Sequence, residues 1–270
     1  MKYKLVAADV DGTLVNDKSA FTPRTLTAIR DAVDAGVIFV VATGRPMCAA
    51  ENLTSLTSKD MPIMLYNGAT VLMSKSRKVL AHDHLDFDLA KEVYDLSIAR
   101  DVALALWADE HLWTTRNCRF FKAYRSLSNV EMTIISDMEA LRGHGISKIV
   151  WLDTPGVLAR LQTEMNQHFG DRLNCHVSLP QVLEFVSPET SKAKALAEIG
   201  RLYGIDRSEM IAVGDSFNDI SMIRYAGLGV AVDNAHAEVK NAADYVTLSN
   251  NDDGVAAVIE KFILISTPSQ

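Results

Sequence analysis

Residues 5–14 of this chain are Leu-Val-Ala-Ala-Asp-Val-Asp-Gly-Thr-Leu, an apolar run that ends in two acids and a glycine. A short continuous apolar run of this kind is typical of a parallel strand buried on both faces. The two acids follow the point where such a strand would end, and Gly12 allows the backbone to turn sharply. In open α/β sheets, ligands bind beyond the carboxyl ends of the strands. This stretch therefore predicts a buried strand with a polar site at its end.

The next segments continue the alternation of strand and helix. Thr22-Pro23 is typical of a helix start, with threonine as N-cap and proline at the first helical position, and Gly36 ends the predicted helix. Residues 37–42 and 63–66 are further apolar runs, and Asn67-Gly68 closes the second of them as a turn. The order strand, helix, strand, helix, strand predicts a doubly wound α/β sheet.

The C-terminal part of the chain repeats this pattern, with a helix predicted over residues 191–202 and a strand over residues 210–213. The intervening segment differs, because it combines helices and strands in another order and contains all three tryptophans. We therefore predict a doubly wound, Rossmann-like α/β core with a parallel sheet, formed by residues 1–82 and 187–270. Residues 83–186 are predicted to insert into it as an α+β module.

Composition and charge exclude several classes of protein. Apolar residues make up 48% of the chain and charged residues 23%, as in ordinary globular proteins. The net charge of −7 repels phosphate backbones, so no nucleic-acid partner is expected. No apolar stretch approaches the roughly 18 residues of a membrane span, and the N-terminal run is too short for a signal peptide. With three widely spaced cysteines in no metal-ligand pattern, we expect a soluble, cytoplasmic protein.

Three further segments place polar residues after predicted strands or in the first turns of helices. Residues 42–46, Ala-Thr-Gly-Arg-Pro, offer a hydroxyl, backbone N–H groups and an arginine, which suit an anion at a helix N-terminus. Lys192 stands in a first helical turn, where its charge opposes the helix dipole unless an anion lies nearby. Residues 214–219, Gly-Asp-Ser-Phe-Asn-Asp, place two acids between a strand and a helix. Each segment taken alone is also compatible with helix capping or a solvated side chain.

These segments meet at one edge if the parallel sheet forms. Asp9, Asp11, Asp215 and Asp219 would then crowd several negative charges, which raise each other's pKa or require a cation. Hard oxygen ligands suit Mg²⁺. A calcium loop of the EF-hand kind is not indicated, because that loop needs glycine at its sixth position and a preceding helix.

The same edge also offers groups that would bind an anion. The donors available to a phosphoryl group are Thr43, Arg45 and Lys192. A metal, a pair of acids and a phosphate clamp together describe phosphoryl transfer.

The four motifs, in this order and placement, resemble those of the haloacid dehalogenase superfamily. The long insertion between the second and third motifs, preceded by Asn67-Gly68-Ala69, is similar to the cap domain of the Cof-type (class IIB) phosphatases. The resemblance covers nearly the whole chain. It implies a Mg²⁺-dependent phosphatase that hydrolyses phosphate monoesters of small metabolites, with sugar phosphates favoured, through an aspartyl-phosphate intermediate.

The resemblance also implies a role for individual residues. Asp9 would be the nucleophile, and Asp11 the general acid to the leaving oxygen and then the base for water. The groups around Mg²⁺ would be Asp9, the backbone carbonyl of Asp11, and Asp215, with Ser216 and Asp219 close by. The phosphoryl oxygens would be bound by the backbone of Val10, Thr43 with Gly44, Lys192 and Asn218. Arg45 and Asn67 would face the substrate.

Other functions remain open at this stage. A phosphomutase of the same fold would isomerise glucose 1-phosphate instead of releasing phosphate from it. A glycosidase that used Asp9 and Asp11 as its carboxylate pair would keep full activity in a chelator. A catalytically silent sensor would bind a phosphate ester, although the acid pair is more than binding alone requires. A monomer or a weak homo-oligomer is expected.

Overall fold

The computed structural model describes residues 2–121 and 131–265. Within this part of the chain the residues group into two compact units. The first unit comprises residues 2–44, 50–82 and 191–265, and the second unit comprises the remaining described residues.

The units differ from the predicted domains at two places, because residues 45–49 and 187–190 belong to the second unit. Hydrogen bonds inside the second unit account for both differences. The Met47 N–H donates to Glu110 Oε2 over 3.0 Å, and the Thr190 hydroxyl donates to Asp83 Oδ2 over 2.9 Å. Such tertiary contacts leave no trace in local apolar patterning, on which the predicted boundaries depended.

The strands are numbered along the chain. They are β1 (Leu5–Asp9), β2 (Ile38–Ala42), β3 (Pro62–Leu65), β4 (Thr70–Met73), β5 (Val79–His82), β6 (Ala103–Ala108), β7 (His111–Thr114), β8 (Met132–Ile134), β9 (Ile146–Leu152), β10 (Asn174–Leu179), β11 (Val182–Val186), β12 (Met210–Gly214), β13 (Leu228–Ala231) and β14 (Tyr245–Val246).

The helices of the described residues are numbered in the same way. They are α1 (Pro23–Asp34), α2 (Met47–Ala50), α3 (Phe87–Ala99), α4 (Pro155–Phe169), α5 (Lys192–Tyr203), α6 (Ile220–Tyr225), α7 (Ala237–Ala242) and α8 (Gly254–Ile259).

The sheet of the first unit has the strand order β14-β13-β12-β1-β2-β3-β4-β5, and the strands from β14 to β3 run parallel. All residues of β1 are buried, as expected for a strand covered on both faces. The register pairs Ala8 with Val213 of β12, and Asp9 with Ala42 of β2. The carboxyl ends of these three strands therefore lie side by side. The doubly wound parallel core is confirmed.

The longer helices of the first unit begin at the predicted signals. Thr22 is the N-cap of α1, and its hydroxyl accepts the Thr25 N–H. Ser191 is the N-cap of α5, which ends at Gly204 in the left-handed conformation. Because Ser191 is the cap, Lys192 is the first residue of α5.

The structure adds an antiparallel extension to the predicted parallel sheet. The chain turns at Tyr66–Gly68, and β4 then runs back antiparallel to β3, followed by β5 antiparallel to β4. A parallel partner would need a crossover of a dozen or more residues, which a turn of this length does not provide. The last helix of the described residues is α-helical over Gly254–Ile259 and continues as a π-helical turn over Glu260–Leu264.

The second unit is an α+β domain whose sheet has the order β10-β11-β9-β6-β7-β8. One face of this sheet and helices α3 and α4 share an apolar core, in which Trp151 is fully buried. All residues of β6 are apolar and buried, as in a strand covered on both faces. Among residues 2–121 and 131–265, no helix has the length and the apolar character to cross a membrane.

Candidate active site

The candidate site lies in the first unit, at the carboxyl edge of its parallel strands. Asp9 is the last residue of β1, Thr43 follows β2, and Asp215 follows β12. Lys192 joins them from the first turn of α5. The aligned register of β1, β2 and β12 explains why residues more than 200 positions apart in sequence lie close together.

Lys192 binds two carboxylates at the centre of this site. Its Nζ lies 2.6 Å from Asp9 Oδ1 and 2.5 Å from Asp219 Oδ1. Lys192 and Asp219 have no exposed surface, and Asp9 is 7% exposed. Burial alone would lower the pKa of Lys192, but the two carboxylates outweigh it and hold that pKa above its ordinary value. Lys192 is therefore a protonated, fixed cation.

Asp219 holds the loop that follows β12. Its Oδ2 accepts the N–H groups of Asp215 and Ser216, over 3.1 Å and 3.0 Å, while its Oδ1 accepts Lys192. Gly214 precedes this loop and has no room for a side chain, because a Cβ there would lie 2.4 Å from the Cβ of Asp219. Both oxygens of Asp219 thus bind the lysine or the backbone.

Asp215 is oriented by the loop after β1. The Thr13 hydroxyl donates to Asp215 Oδ1 over 2.8 Å, and a Cβ on Gly12 would lie 2.7 Å from Asp215 Oδ2. Gly12 also has a φ of 82°, which favours glycine. Glycine is thus required at position 12 both by its backbone conformation and by the close approach of Asp215.

Asp9, Asp215 and Asp219 form a group in which one carboxylate oxygen of each residue lies within 4.8 Å of those of the other two. Burial raises the pKa of Asp9 and of Asp215, and the charge of Asp219 raises both further, against the opposing effect of Lys192. When ionised, the three carboxylates and Lys192 leave an excess of two negative charges. A divalent cation with a preference for oxygen ligands would neutralise that excess, so the donor set fits Mg²⁺.

The side of the site near β2 and β3 carries neutral donors. Thr43 is 1% exposed. Its N–H donates to the Met64 carbonyl over 2.9 Å, and its carbonyl accepts the Asn67 N–H over 3.0 Å. Asn67 Oδ1 accepts the side-chain amide of Asn218 over 2.9 Å. A Cβ on Gly44 would lie 2.9 Å from the same Asn67 oxygen. The structure therefore brings these four predicted phosphate- or substrate-side residues together.

Val10 and Asp11 form the turn after β1. Val10 is fully buried, and its carbonyl accepts the N–H groups of Thr13, Leu14 and Val15. Asp11 is exposed. In the described part of the chain its side chain does not belong to the close carboxylate group, so the expected crowding of four carboxylates is limited to Asp9, Asp215 and Asp219. Metal binding through the backbone carbonyl of Asp11 stays a prediction.

Arg45 is a predicted site residue that does not belong to the first unit, where the other predicted site residues lie. It belongs to the second unit, where its Nη1 donates to the carbonyl of Ala49 over 3.2 Å. Its position on the substrate side remains a prediction.

Two residues of this site were missed by the sequence reasoning. Thr13 stands within the first motif, so its hydroxyl was visible but had no assigned role. Asn234, whose side-chain amide donates to the Gly12 carbonyl over 2.7 Å, lies in a loop after β13 that carries no motif. Only the tertiary structure identifies it.

Comparisons with known proteins found matches over nearly the whole chain. A family model described as haloacid dehalogenase-like hydrolase matches residues 6–259. The Bacillus subtilis protein YxeH, which carries the name of a phosphatase without a stated substrate, is 32% identical over 267 residues, covering 97% of this chain and 99% of that protein.

Two further matches extend this similarity. The 5-amino-6-(5-phospho-D-ribitylamino)uracil phosphatase YcsE of Bacillus subtilis is 30% identical over 274 residues, covering 97% of this chain and 96% of its own length. The crystal structure of a haloacid dehalogenase-like hydrolase from Bacteroides thetaiotaomicron superposes with a TM-score of 0.86 at 28% identity, covering 97% of this chain and 100% of that chain.

Proposed function

The chain belongs to the haloacid dehalogenase-like hydrolase family, and we propose that it is the Mg²⁺-dependent member that hydrolyses phosphate monoesters of small metabolites, sugar phosphates foremost. That the chain is a phosphatase acting on phosphate esters follows from its family and from relatives that match over nearly their whole length and are named as phosphatases. The metal, the substrate class and a covalent intermediate on Asp9 are the proposal.

One observation supports the proposal above the others. A buried lysine lies between Asp9 and Asp219, and Asp9, Asp215 and Asp219 lie within 4.8 Å of one another at the carboxyl edge of a parallel sheet. A purely structural core would not assemble three carboxylates around one ammonium group, because burying unbalanced charge is costly. Phosphoryl transfer needs such a site, since its catalysis depends on positioning and on neutralising charge.

In the first half-reaction a carboxylate oxygen of Asp9 attacks the phosphorus atom of the ester. The bond between phosphorus and the leaving oxygen breaks, and Asp11 gives its proton to that oxygen. The products are the free alcohol and a phosphoryl group bound to Asp9. A carboxylate nucleophile thus divides one difficult displacement into two easier ones.

In the second half-reaction Asp11, now ionised, takes a proton from water as the water oxygen attacks the phosphorus atom. The bond from phosphorus to Asp9 breaks, inorganic phosphate leaves, and Asp11 is protonated again for the next cycle. Asp11 therefore acts first as a general acid and then as a general base.

The residues proposed to hold Mg²⁺ are Asp9, Asp215 and the backbone carbonyl of Asp11, with Ser216 and Asp219 next to them. When bound, the ion supplies positive charge that offsets the repulsion between the phosphate ester and the carboxylates. Lys192 contributes a second, permanent positive charge beside Asp9. The backbone of Val10, Thr43 with Gly44, and Asn218 are proposed to donate to the phosphoryl oxygens.

The substrate side is proposed to include Asn67 and Arg45, with the second unit selecting the leaving group. A relative at 30% identity is named for a phosphorylated ribityl compound, which supports a polyhydroxylated leaving group for this chain. We also propose a cytoplasmic enzyme that acts as a monomer or a weak homo-oligomer. Three free cysteines, of which Cys175 is buried, are compatible with a reducing compartment.

A phosphate-release assay tests the proposal. The panel contains glucose 1-phosphate, other sugar phosphates, the phosphoribityl ester named for the relative, phosphoglycolate and p-nitrophenyl phosphate, each with Mg²⁺ and with a chelator. We expect release that depends on Mg²⁺, that is lost in Asp9→Asn and that is kept in Asp31→Asn, an exposed change of the same chemistry on α1. Phosphate release by Asp9→Asn would refute the covalent mechanism, and isomerised glucose 1-phosphate would identify a mutase.

A further inference from the structure

A chain of hydrogen bonds connects the C-terminal part of the first unit with the loop after β1, which follows Asp9 and contains Asp11. The side-chain amide of Asn234 donates to the Gly12 carbonyl over 2.7 Å, and Asn234 Oδ1 accepts the backbone N–H of Asn250 over 2.8 Å. Asn234 therefore uses both ends of its amide, one toward each segment. We call residues 249–254 the anchor segment.

Asn250 is the buried member of the anchor segment, with 4% of its surface exposed. Its Nδ2 donates to the Val15 carbonyl and to Asp17 Oδ1, each over 3.1 Å. Its Oδ1 is buried and has no hydrogen-bond partner among the described residues. The side-chain hydrogen bonds of Asn250 are thus made through Nδ2, and both bind the loop after β1.

Other members of the anchor segment strengthen the same connection. Asn251 and Asp17 form two reciprocal hydrogen bonds, from Asp17 N–H to Asn251 Oδ1 and from Asn251 Nδ2 to Asp17 Oδ2. Asp253 accepts the hydroxyls of Thr22 and Thr25 at the start of α1. The anchor segment thus binds both the loop after β1 and the helix that follows it.

The Gly12 carbonyl is a sensitive point in this loop. The carbonyl of Gly12 and the N–H of Thr13 belong to one planar peptide unit, so a bond to one of them sets the orientation of both. The Thr13 hydroxyl holds Asp215 Oδ1, and Gly12 packs against Asp215 Oδ2. A tilt of this peptide would therefore move the two contacts that orient the Asp215 carboxylate.

We propose that Asn234 is a positioning residue for the reaction. By joining the anchor segment to the Gly12–Thr13 peptide, it fixes the loop after β1 and thereby the carboxylate of Asp215. This inference rests on the proposed function in one respect, because it takes Asp215 as a metal ligand. Its geometric part, the immobilisation of the loop, holds without a metal.

Two substitutions distinguish the contact of Asn234 with the Gly12 carbonyl from its contact with Asn250. Asn234→Asp keeps the oxygen that accepts Asn250 N–H but loses the donor to the Gly12 carbonyl, and Asn234→Ala loses both. Asn234 is exposed, so neither change opens a cavity and both proteins should fold. The control is Asn241→Asp, which makes the same change of charge at an exposed position of α7.

The first measurement is amide hydrogen exchange of peptides that cover residues 10–17, in the metal-free full-length protein. We expect both Asn234 variants to speed exchange at Thr13, Leu14 and Val15 by about fivefold, the size expected for one lost hydrogen bond, and Asn241→Asp to match the wild type. Unchanged exchange in both variants would overturn the inference, whatever the protein's catalytic activity. Faster exchange in Asn234→Ala alone would also overturn it, because the bond to Asn250 would then be the only one that matters.

The second measurement is Mg²⁺ binding by titration calorimetry, together with kcat and KM for the best substrate of the panel. We expect about fivefold weaker Mg²⁺ binding and a kcat reduced by a similar factor at nearly unchanged KM, as for loss of a group that orients the site. Wild-type protein that binds no Mg²⁺ would refute the proposed function and the metal part of this inference together. If both Asn234 variants bind Mg²⁺ as tightly as the wild type, the inference is overturned and the proposed function stands.

Discussion

Lys192 and Asp9, separated by 183 positions in sequence, form an ion pair with 2.6 Å between Nζ and Oδ1. The lysine is completely buried. A buried ammonium group is tolerated when carboxylates compensate its charge, and Asp219 supplies the second one at 2.5 Å. The pair explains why a lysine stands in the first turn of a helix, where the helix dipole disfavours it.

Lys192→Met should impair both stability and activity. The change removes the cation from three neighbouring carboxylates, and loss of one partner of a buried pair typically costs about 3–5 kcal/mol. Phosphate release should fall by about 10²–10³-fold, as for other fixed groups that stabilise transition-state charge. Chemical denaturation followed by far-ultraviolet circular dichroism and the phosphate-release assay measure the two effects.

The matched control for this change is Lys194→Met, two positions along the same helix, where the lysine is exposed. It should leave stability within about 0.5 kcal/mol of the wild type and activity unchanged. Equal losses in the two variants would contradict a special role for Lys192.

Asp11→Asn should reduce activity according to the leaving group. An amide cannot give a proton to the departing oxygen, so a sugar phosphate, whose alkoxide leaves poorly, should lose about 10²–10⁴-fold. For p-nitrophenyl phosphate, whose phenolate leaves readily, formation of the intermediate should be much less affected. Single-turnover release of p-nitrophenol and of the sugar measures this step separately from hydrolysis of the intermediate. The acid role of Asp11 would be disproved by an equal loss for both esters.

Much of this site could be predicted because its geometry follows from local patterns. Buried apolar runs identified β1, β2 and β12, and the rule that parallel strands end at one edge then brought Asp9, Thr43 and Asp215 together. Lys192 was placed in the first turn of the helix predicted to begin at Ser191, the residue directly before it. These inferences need only the apolar pattern of the sequence and the rule that ligands bind at the carboxyl ends of parallel strands.

The remainder depends on tertiary contacts that leave no periodic signal. Asn234 and Asn250 stand in loops, where asparagine is ordinarily explained by turn formation, and their partners lie over 220 residues away. The assignment of Arg45 to the second unit likewise depends on contacts between residues 45–49 and residues 83–190, which are distant in sequence. The hairpin of β4 and β5 was missed because both strands are short and β5 is partly exposed.

Gly12→Ala should disable the site, whereas Gly36→Ala should not. Both glycines have left-handed backbones, with φ of 82° and 95°, so each alanine should cost about 1–2 kcal/mol of backbone strain. A Cβ at Gly36 meets nothing within 4 Å, but one at Gly12 would lie 2.7 Å from Asp215 Oδ2. We therefore expect Gly12→Ala alone to lose Mg²⁺ binding and phosphatase activity, by calorimetry and by phosphate release. Similar activity in the two variants would show that the contact with Asp215 is unimportant.

The stability of the second unit should depend on pH through Glu184. This residue of β11 binds Lys148 Nζ and the Ser178 hydroxyl through Oε1, over 3.1 Å and 2.9 Å, and His176 lies 4.0 Å away. Burial pushes the pKa of Glu184 upward, but the neighbouring charges and hydrogen bonds outweigh it and hold that pKa below its ordinary value. A depressed carboxyl pKa stabilises the fold above the unfolded value of about 4.3, and this stabilisation is lost as the pH falls below it.

Glu184→Gln should therefore lower the free energy of unfolding most at neutral pH, by about 3–5 kcal/mol, because it breaks the buried ion pair between Glu184 and Lys148. The difference from the wild type should shrink as the pH falls below about 4.3 and through the depressed pKa of Glu184, since Glu184 of the wild type then becomes protonated as well. Tryptophan fluorescence isolates this unit, because Trp107, Trp113 and Trp151 all belong to it. Glu139→Gln, which breaks only an exposed pair with Arg142, should have an effect below about 1 kcal/mol at every pH. A difference between Glu184→Gln and the wild type that stays constant with pH would mean that the charge of Glu184 does not stabilise this unit.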